Sequence, residues 1–245
     1  MLNFEQNRPL DVIMFGRIAL DINPADFGKS FIENKNFNKY VGGSSANTSV
    51  GLAKMGCKVG FLGCVSNDSL GDFALHYLAS QGVDISHVTR AKNGEMLGLA
   101  FSEILPNGKT NLMMYRDENV ADLQITADDV DEDYVASAKA IIISGTALSA
   151  SPSREAAFMA IMLAKKHNTK VIFDIDYRAQ VWKSKTEISL YYTLAAKDSE
   201  MIMGSREEFD LTDSIISDGD TDEVTAQRWF KEGAKLLIIK HGAEG

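Results

Sequence analysis

Cysteine, proline and tryptophan are scarce in this sequence, with two, four and two among 245 residues. The two cysteines, Cys57 and Cys64, form no disulfide framework and no metal-spaced pair. They read as small buried hydrophobes of a reducing compartment. Basic charge is also in short supply. Lys plus Arg is 25 against 34 Asp plus Glu, a formal net charge of −9. That excludes the basic face on which a nucleic-acid binder depends, and a grip on anionic lipid. No apolar run nears the ~18–20 residues of a spanning helix, and the opening Met-Leu-Asn-Phe-Glu-Gln-Asn-Arg has no signal-peptide core. A cytoplasmic protein with neither nucleic-acid nor membrane partners is expected.

What is present is the composition of a globular protein, 45% hydrophobic and 24% charged, which excludes disorder as the main state. Short apolar runs recur at Val12–Gly16, Lys58–Val65, Ala140–Ser144, Lys170–Asp174, Glu200–Met203 and Leu236–Ile239. They are apolar throughout, which predicts central strands of a parallel sheet buried on both faces. Helical patterns lie between them at Ser45–Met55, Leu70–Gln81, Pro152–His167, Thr186–Lys197 and Asp222–Glu232. Gly56, Gly82 and Gly233 punctuate three of the ends, and Pro152 is placed at the first helical position of its helix. Strand–helix alternation predicts an α/β fold with right-handed crossovers.

Two stretches break the rhythm. Residues 21–42 carry few core residues. Residues 97–119 read as a hairpin around Pro106-Asn107-Gly108. Both are expected in a small antiparallel lid beside the main sheet. The acidic stretch Ser217–Glu223 reads as a solvated loop and helix start, and lacks the ligand spacing of an EF-hand.

The most informative block is Tyr40-Val-Gly-Gly-Ser-Ser-Ala-Asn-Thr-Ser-Val-Gly-Leu-Ala-Lys-Met-Gly56. Gly42 and Gly43 allow positive φ or close approach of a ligand to the backbone. The helix behind them offers free N–H groups, and Asn47 adds a side-chain donor and acceptor. A tight turn before a closely packed helix is the structural alternative. Asp21 follows the first strand region, where parallel sheets bind ligands; a turn-forming aspartate is its alternative. No Gly-x-Gly-x-x-Gly follows Val12–Phe15, which argues against a nicotinamide site.

Together Asp21, Gly42, Gly43 and Asn47, with Phe61–Gly71 and Gly82–Ser86, resemble the ribokinase-like family of sugar kinases over essentially the whole chain. The resemblance implies a three-layer Rossmann-like ribokinase fold with a mostly parallel central sheet and a small antiparallel β lid. It implies one kinase domain over 1–245 with lid segments at about 21–42 and 97–119. Lys39–Ser44, Gly98–Glu103, Met114–Asp117, Asn119–Asp122 and Phe173–Arg178 look like the branch that acts on keto-deoxy sugar acids. The substrate implied is 5-dehydro-2-deoxygluconate of inositol catabolism, with 2-keto-3-deoxygluconate or fructose as alternatives.

By the same resemblance Asp21, Gly42, Gly43 and Asn47 orient the sugar, and Arg116 and Arg178 hold its acid end. A planar guanidinium fork suits a carboxylate. A solvated hairpin position for Arg116, and an ion pair with Asp174 or Asp176 for Arg178, are the structural alternatives. ATP and Mg²⁺ are the implied cofactors. Ser205, Glu208, Lys240 and Gly242 are placed at the nucleotide end, with Glu208 acting indirectly on the metal. Ser205-x-x-Glu208 is equally a capping box. The family's Gly-Ala-Gly-Asp segment, which supplies the catalytic base, is expected beyond Gly245. No base is therefore assigned within the chain, and a sugar-acid-binding chain without catalysis is the alternative function. A homodimer through the lid is the implied assembly.

Overall fold

The computed structural model describes residues 3–245. In chain order the elements are β1 (Leu10–Phe15), β2 (Ala19–Pro24), β3 (Phe37–Gly42), α1 (Ser44–Lys54), β4 (Val59–Val65), α2 (Ser69–Ser80), β5 (Val83–Asp84), β6 (Val88–Arg90), β7 (Gly98–Ile104) and β8 (Thr110–Tyr115). There follow α3 (Glu132–Ala136), β9 (Ala138–Ser144), α4 (Ser153–Lys166), β10 (Lys170–Asp174), α5 (Lys185–Lys197), β11 (Met201–Ser205), α6 (Arg206–Asp213), α7 (Asp222–Glu232) and β12 (Leu236–Lys240). Each expected strand and helix is present within a few residues of its expected bounds. Helix α4 starts one residue later than expected, at Ser153, with Pro152 at the cap.

The main sheet runs β12-β11-β10-β9-β1-β4-β5, with β6 also paired to β4. Every pairing in it is parallel. Because side chains alternate across a strand, each central strand feeds two cores. Ile13, Phe15, Ile141, Ile143, Val171 and Phe173 pack on one face against Ala156, Ala160 and Ile161 of α4 and Ile188 and Tyr192 of α5. Val12, Met14, Val59, Phe61 and Ile142 pack on the other against Ala46 and Val50 of α1 and Ala74 and Leu78 of α2. Complete burial of a side chain such as Phe15 or Ile13 contributes roughly 1.5–3 kcal/mol each. This is the three-layer α/β arrangement that the alternation predicted.

Two expectations change. The run Leu236–Ile239 does not lie buried on both faces. β12 pairs only with β11, at the sheet edge, and Leu236 and Ile238 are exposed. The lid is a second sheet of order β3-β2-β7-β8. Its outer pairs are antiparallel, as expected, but β2 and β7 run parallel. The chain leaves β3 into α1 and returns to the lid only after β6, so β7 enters beside β2 in the same direction. The lid is mixed rather than antiparallel.

Helix ends follow local chemistry. Asp68 caps α2, its Oδ1 accepting from the N–H groups of Leu70 and Gly71 at 2.9 and 3.0 Å. Ser184 and Thr221 cap α5 and α7 in the same way. Gly233 closes α7 in the left-handed region.

Candidate active site

Arg17 follows the carboxyl end of β1 and Arg178 that of β10, the end of a parallel sheet at which ligands are held. After β1 the chain crosses into β2 through Gly16, Arg17 and Ile18. That crossing is tied to the start of α1. The Arg17 N–H donates to Ser45 Oγ at 3.1 Å, and the Arg17 carbonyl accepts from the Ala46 N–H at 3.3 Å. Gly43 makes the approach possible. Its φ is 94°, and a Cβ there would stand 2.6 Å from the Arg17 carbonyl oxygen, so only glycine fits.

A cavity of about 340 Å³ lies between the lid and α1, within the roughly 300–1,000 Å³ of small-molecule sites. Asp21, Gly43, Asn47, Arg116 and Arg178 all line it. Thus residues up to 157 positions apart in sequence converge on one volume. Gly42 does not line it; its role is to leave room for the Asp21 carboxylate, which a Cβ at Gly42 would overlap. Burial raises the Asp21 carboxyl above its ordinary range, and the positive charge of Arg17 opposes that shift.

The two arginines differ in burial, Arg116 being enclosed and Arg178 partly exposed. Arg116 Nη2 pairs with Asp122 Oδ2 at 2.5 Å, with side-chain exposures of 2% and 1%. Arg116 is therefore no solvated hairpin residue. Its Nε and Asp122 Oδ1 have no protein partner. Arg178 Nη2 pairs with Asp176 Oδ1 at 3.0 Å, and its Nη1 donates to the Tyr177 carbonyl at 2.6 Å. The ion pair with Asp176 is present, and the same guanidinium still reaches the cavity. Asp176 is held at φ 37°, a left-handed value costly for a non-glycine residue. Ser44 Oγ, from the first turn of α1, and Ser144 Oγ, from the end of β9, both donate to its Oδ2.

Ser205, Glu208, Lys240 and Gly242 lie at the carboxyl ends of β11 and β12 and do not line the cavity. Ser205 and Glu208 form a capping box on α6. Glu208 Oε2 accepts from the Ser205 N–H and its Oε1 from the Tyr177 N–H, each at 2.7 Å. One carboxylate so ties the start of α6 to the loop that carries Arg178. Asp174, at the end of β10, is raised to about 6 by burial and by the charge of Asp176, while Lys240 opposes the rise. Among the described residues no group of three or more His, Cys, Asp or Glu could hold a metal ion.

Arg17 and Ser44 also line the cavity and were not anticipated from sequence. Arg17 had a signal, since it is the one charged residue in the apolar stretch Val12–Leu20. Asp122 carries a similar one, alone among Val120, Ala121 and Leu123.

A parallel sheet with a β lid over a polar cavity, arginines at its wall and a helix N-terminus at its edge, defines a fold and site suited to a small polar ligand. The sequence matches the description "pfkB family carbohydrate kinase" over residues 10–245. The chain belongs to that family. It is 53% identical over 244 residues to a 5-dehydro-2-deoxygluconokinase of Clostridium perfringens, covering 100% of this chain and 72% of the relative. Among solved structures it resembles a PfkB protein from Polaromonas sp. JS666, with TM-score 0.86 and 26% identity over 96% of this chain and 78% of the other. It also resembles a "putative Ribokinase II" from E. coli in complex with ATP and Mg²⁺, with TM-score 0.82 and 25% identity over 96% and 74%. A carbohydrate kinase with a ribokinase-like fold is thereby established.

Proposed function

We propose that this kinase phosphorylates 5-dehydro-2-deoxygluconate at its primary hydroxyl, with ATP and Mg²⁺, as a step of inositol catabolism. The observation that carries the reading is the convergence of Asp21, Asn47, Arg116 and Arg178 on one cavity under the lid. A protein of net charge −9 that takes a sugar acid needs local positive charge, and the arginines supply it. The relatives' names point to the same substrate.

Chain 1–245 is read as one kinase domain bearing the lid. Asp21, Gly43 and Asn47 would orient the sugar, with Gly42 keeping Asp21 in place. Arg116 and Arg178 would face the acid end. The substrate hydroxyl oxygen would bond to the γ-phosphorus as the bond to the β–γ bridging oxygen breaks, its proton would pass to the base that the resemblance assigns to the family's Gly-Ala-Gly-Asp segment, and ADP would leave. Positioning and charge stabilisation dominate such transfers. Closure of the lid would exclude water. Ser205, Lys240 and Gly242 would flank the nucleotide. Mg²⁺ is held chiefly by phosphates in such enzymes. The two oxygens of Glu208 already accept backbone N–H groups, which suits an indirect hold on the metal. The two free cysteines suit the cytoplasm. A second copy would cover the apolar outer side of the lid around Phe101 and Tyr115.

The test is ADP release dependent on the acid. The Arg178→Ala variant is expected to raise KM for the acid about tenfold or more, with KM for ATP unchanged. An unchanged KM for the acid would remove Arg178 from the site. Saturable acid binding without turnover would replace catalysis by binding.

A further inference from the structure

The three guanidiniums of the cavity are not equivalent. Arg116 is paired to Asp122 and Arg178 to Asp176. Arg17 is only 7% exposed and lines the same cavity, yet among the described residues no carboxylate stands within 4.0 Å of its guanidinium. Its Nε is fully buried with no acceptor, and the single hydrogen bond that Arg17 donates comes from its backbone. Asp122 and Asp176 attract it from a distance, Arg116 and Arg178 repel it, and Asp21, on the same cavity, feels its charge without forming an ion pair with it. Both carboxylates are already committed to their own arginines. A buried cation without a partner is expensive to keep. Buried polar groups in folded proteins have partners, and an exception calls for one from outside the chain.

Resting on the sugar-acid reading above, we infer that Arg17 is the anion-binding arginine of the cavity: it donates to the substrate carboxylate and makes the site prefer an acid to a neutral sugar. Arg116 and Arg178, each paired with an aspartate, then flank the acid subsite, and Arg17 brings to it a guanidinium with no ion-pair partner. Lysine would not serve as well, since a fixed planar fork meets both carboxylate oxygens. The position is preorganised, because the backbone of Arg17 is bound on both sides to the start of α1. An arginine that serves a ligand, and not the fold, should be dispensable for folding.

The experiment is titration calorimetry of the full chain with 5-dehydro-2-deoxygluconate and with its neutral amide, alongside thermal melting without ligand. The wild type is expected to bind the acid about 10- to 100-fold more tightly than the amide, the range of a charge-assisted contact. Arg17→Gln and Arg17→Met should lose about tenfold or more of that preference for the acid, keep ATP affinity within about twofold, and melt at or above the wild-type temperature. Retained discrimination in these variants would overturn the role of Arg17 and leave the sugar-acid reading standing. Collapse of both variants in the absence of ligand would overturn it too, by making Arg17 a structural counter-charge. A wild type that binds neither compound, or both equally, would instead overturn the sugar-acid reading itself.

Discussion

The carboxylate of Asp21 on β2 lies directly against Gly42 on β3, so closely that any Cβ at position 42 would overlap both of its oxygens. Gly42 pairs opposite Ala19 across the strands, which places Asp21 diagonally on the same face. The glycine is required by side-chain contact and not by backbone conformation. Gly42→Ala is expected to displace Asp21 and weaken the sugar acid about 100-fold, the scale of a misplacement near 1 Å. ATP binding should be unaffected. Calorimetry against both ligands checks this, and equal losses for the two would place Gly42 in general folding.

The Arg116–Asp122 pair is almost completely withdrawn from water. Removing one member leaves the other charged and alone. Asp122→Ala is expected to cost about 3–5 kcal/mol in urea unfolding, and Arg116→Met combined with Asp122→Leu to recover most of it. A loss in the double variant as large as in the single one would show that the pair's value lies elsewhere than in mutual compensation.

Asp174 gives a pH dependence with a definite sign. Its folded value of about 6 lies above its ordinary value of 3.8. The folded state therefore holds its proton more tightly, and the contribution to stability is present below about pH 4 and lost as pH rises through 6. Asp174→Asn removes the ionisation. The variant should gain on the wild type between pH 4 and 7 by about 1–3 kcal/mol, read as the difference of their unfolding free energies. A difference that stays flat across that range would show that Asp174 titrates normally.

Glu208 serves two backbone N–H groups, on α6 and beside Arg178. Glu208→Ala breaks the capping box and strands the Tyr177 N–H, for a combined loss of about 2–4 kcal/mol. Because that loop carries Arg178, affinity for the acid should fall as well, although Glu208 does not line the cavity. Glu208→Gln keeps one acceptor and should recover part of both losses. Intact stability in Glu208→Ala would count against this account.

Much of the fold was legible in the amino-acid order because it is local chemistry. Apolar runs such as Ala140–Ser144 mark strands buried on both faces, and Ser205 three residues before Glu208 marks a helix cap. Asp21, Gly43 and Asn47 stood out through the family resemblance, and all three line the cavity. Only the tertiary structure could decide the rest. Strand order turned β12 into an exposed edge and set β7 parallel to β2, because pairing partners are chosen by chain crossings that leave no local trace. It also brought Arg17, Arg116 and Arg178, from three separate segments, to one cavity, whereas the aspartates that pair with Arg116 and Arg178 are their near neighbours in sequence. The sequence by itself determined which elements form and what charges they carry. Packing decided that Arg17, Arg116 and Arg178 share one cavity and that, of the three, Arg17 has no carboxylate within ion-pair distance, because an ion pair depends on distance and not on composition.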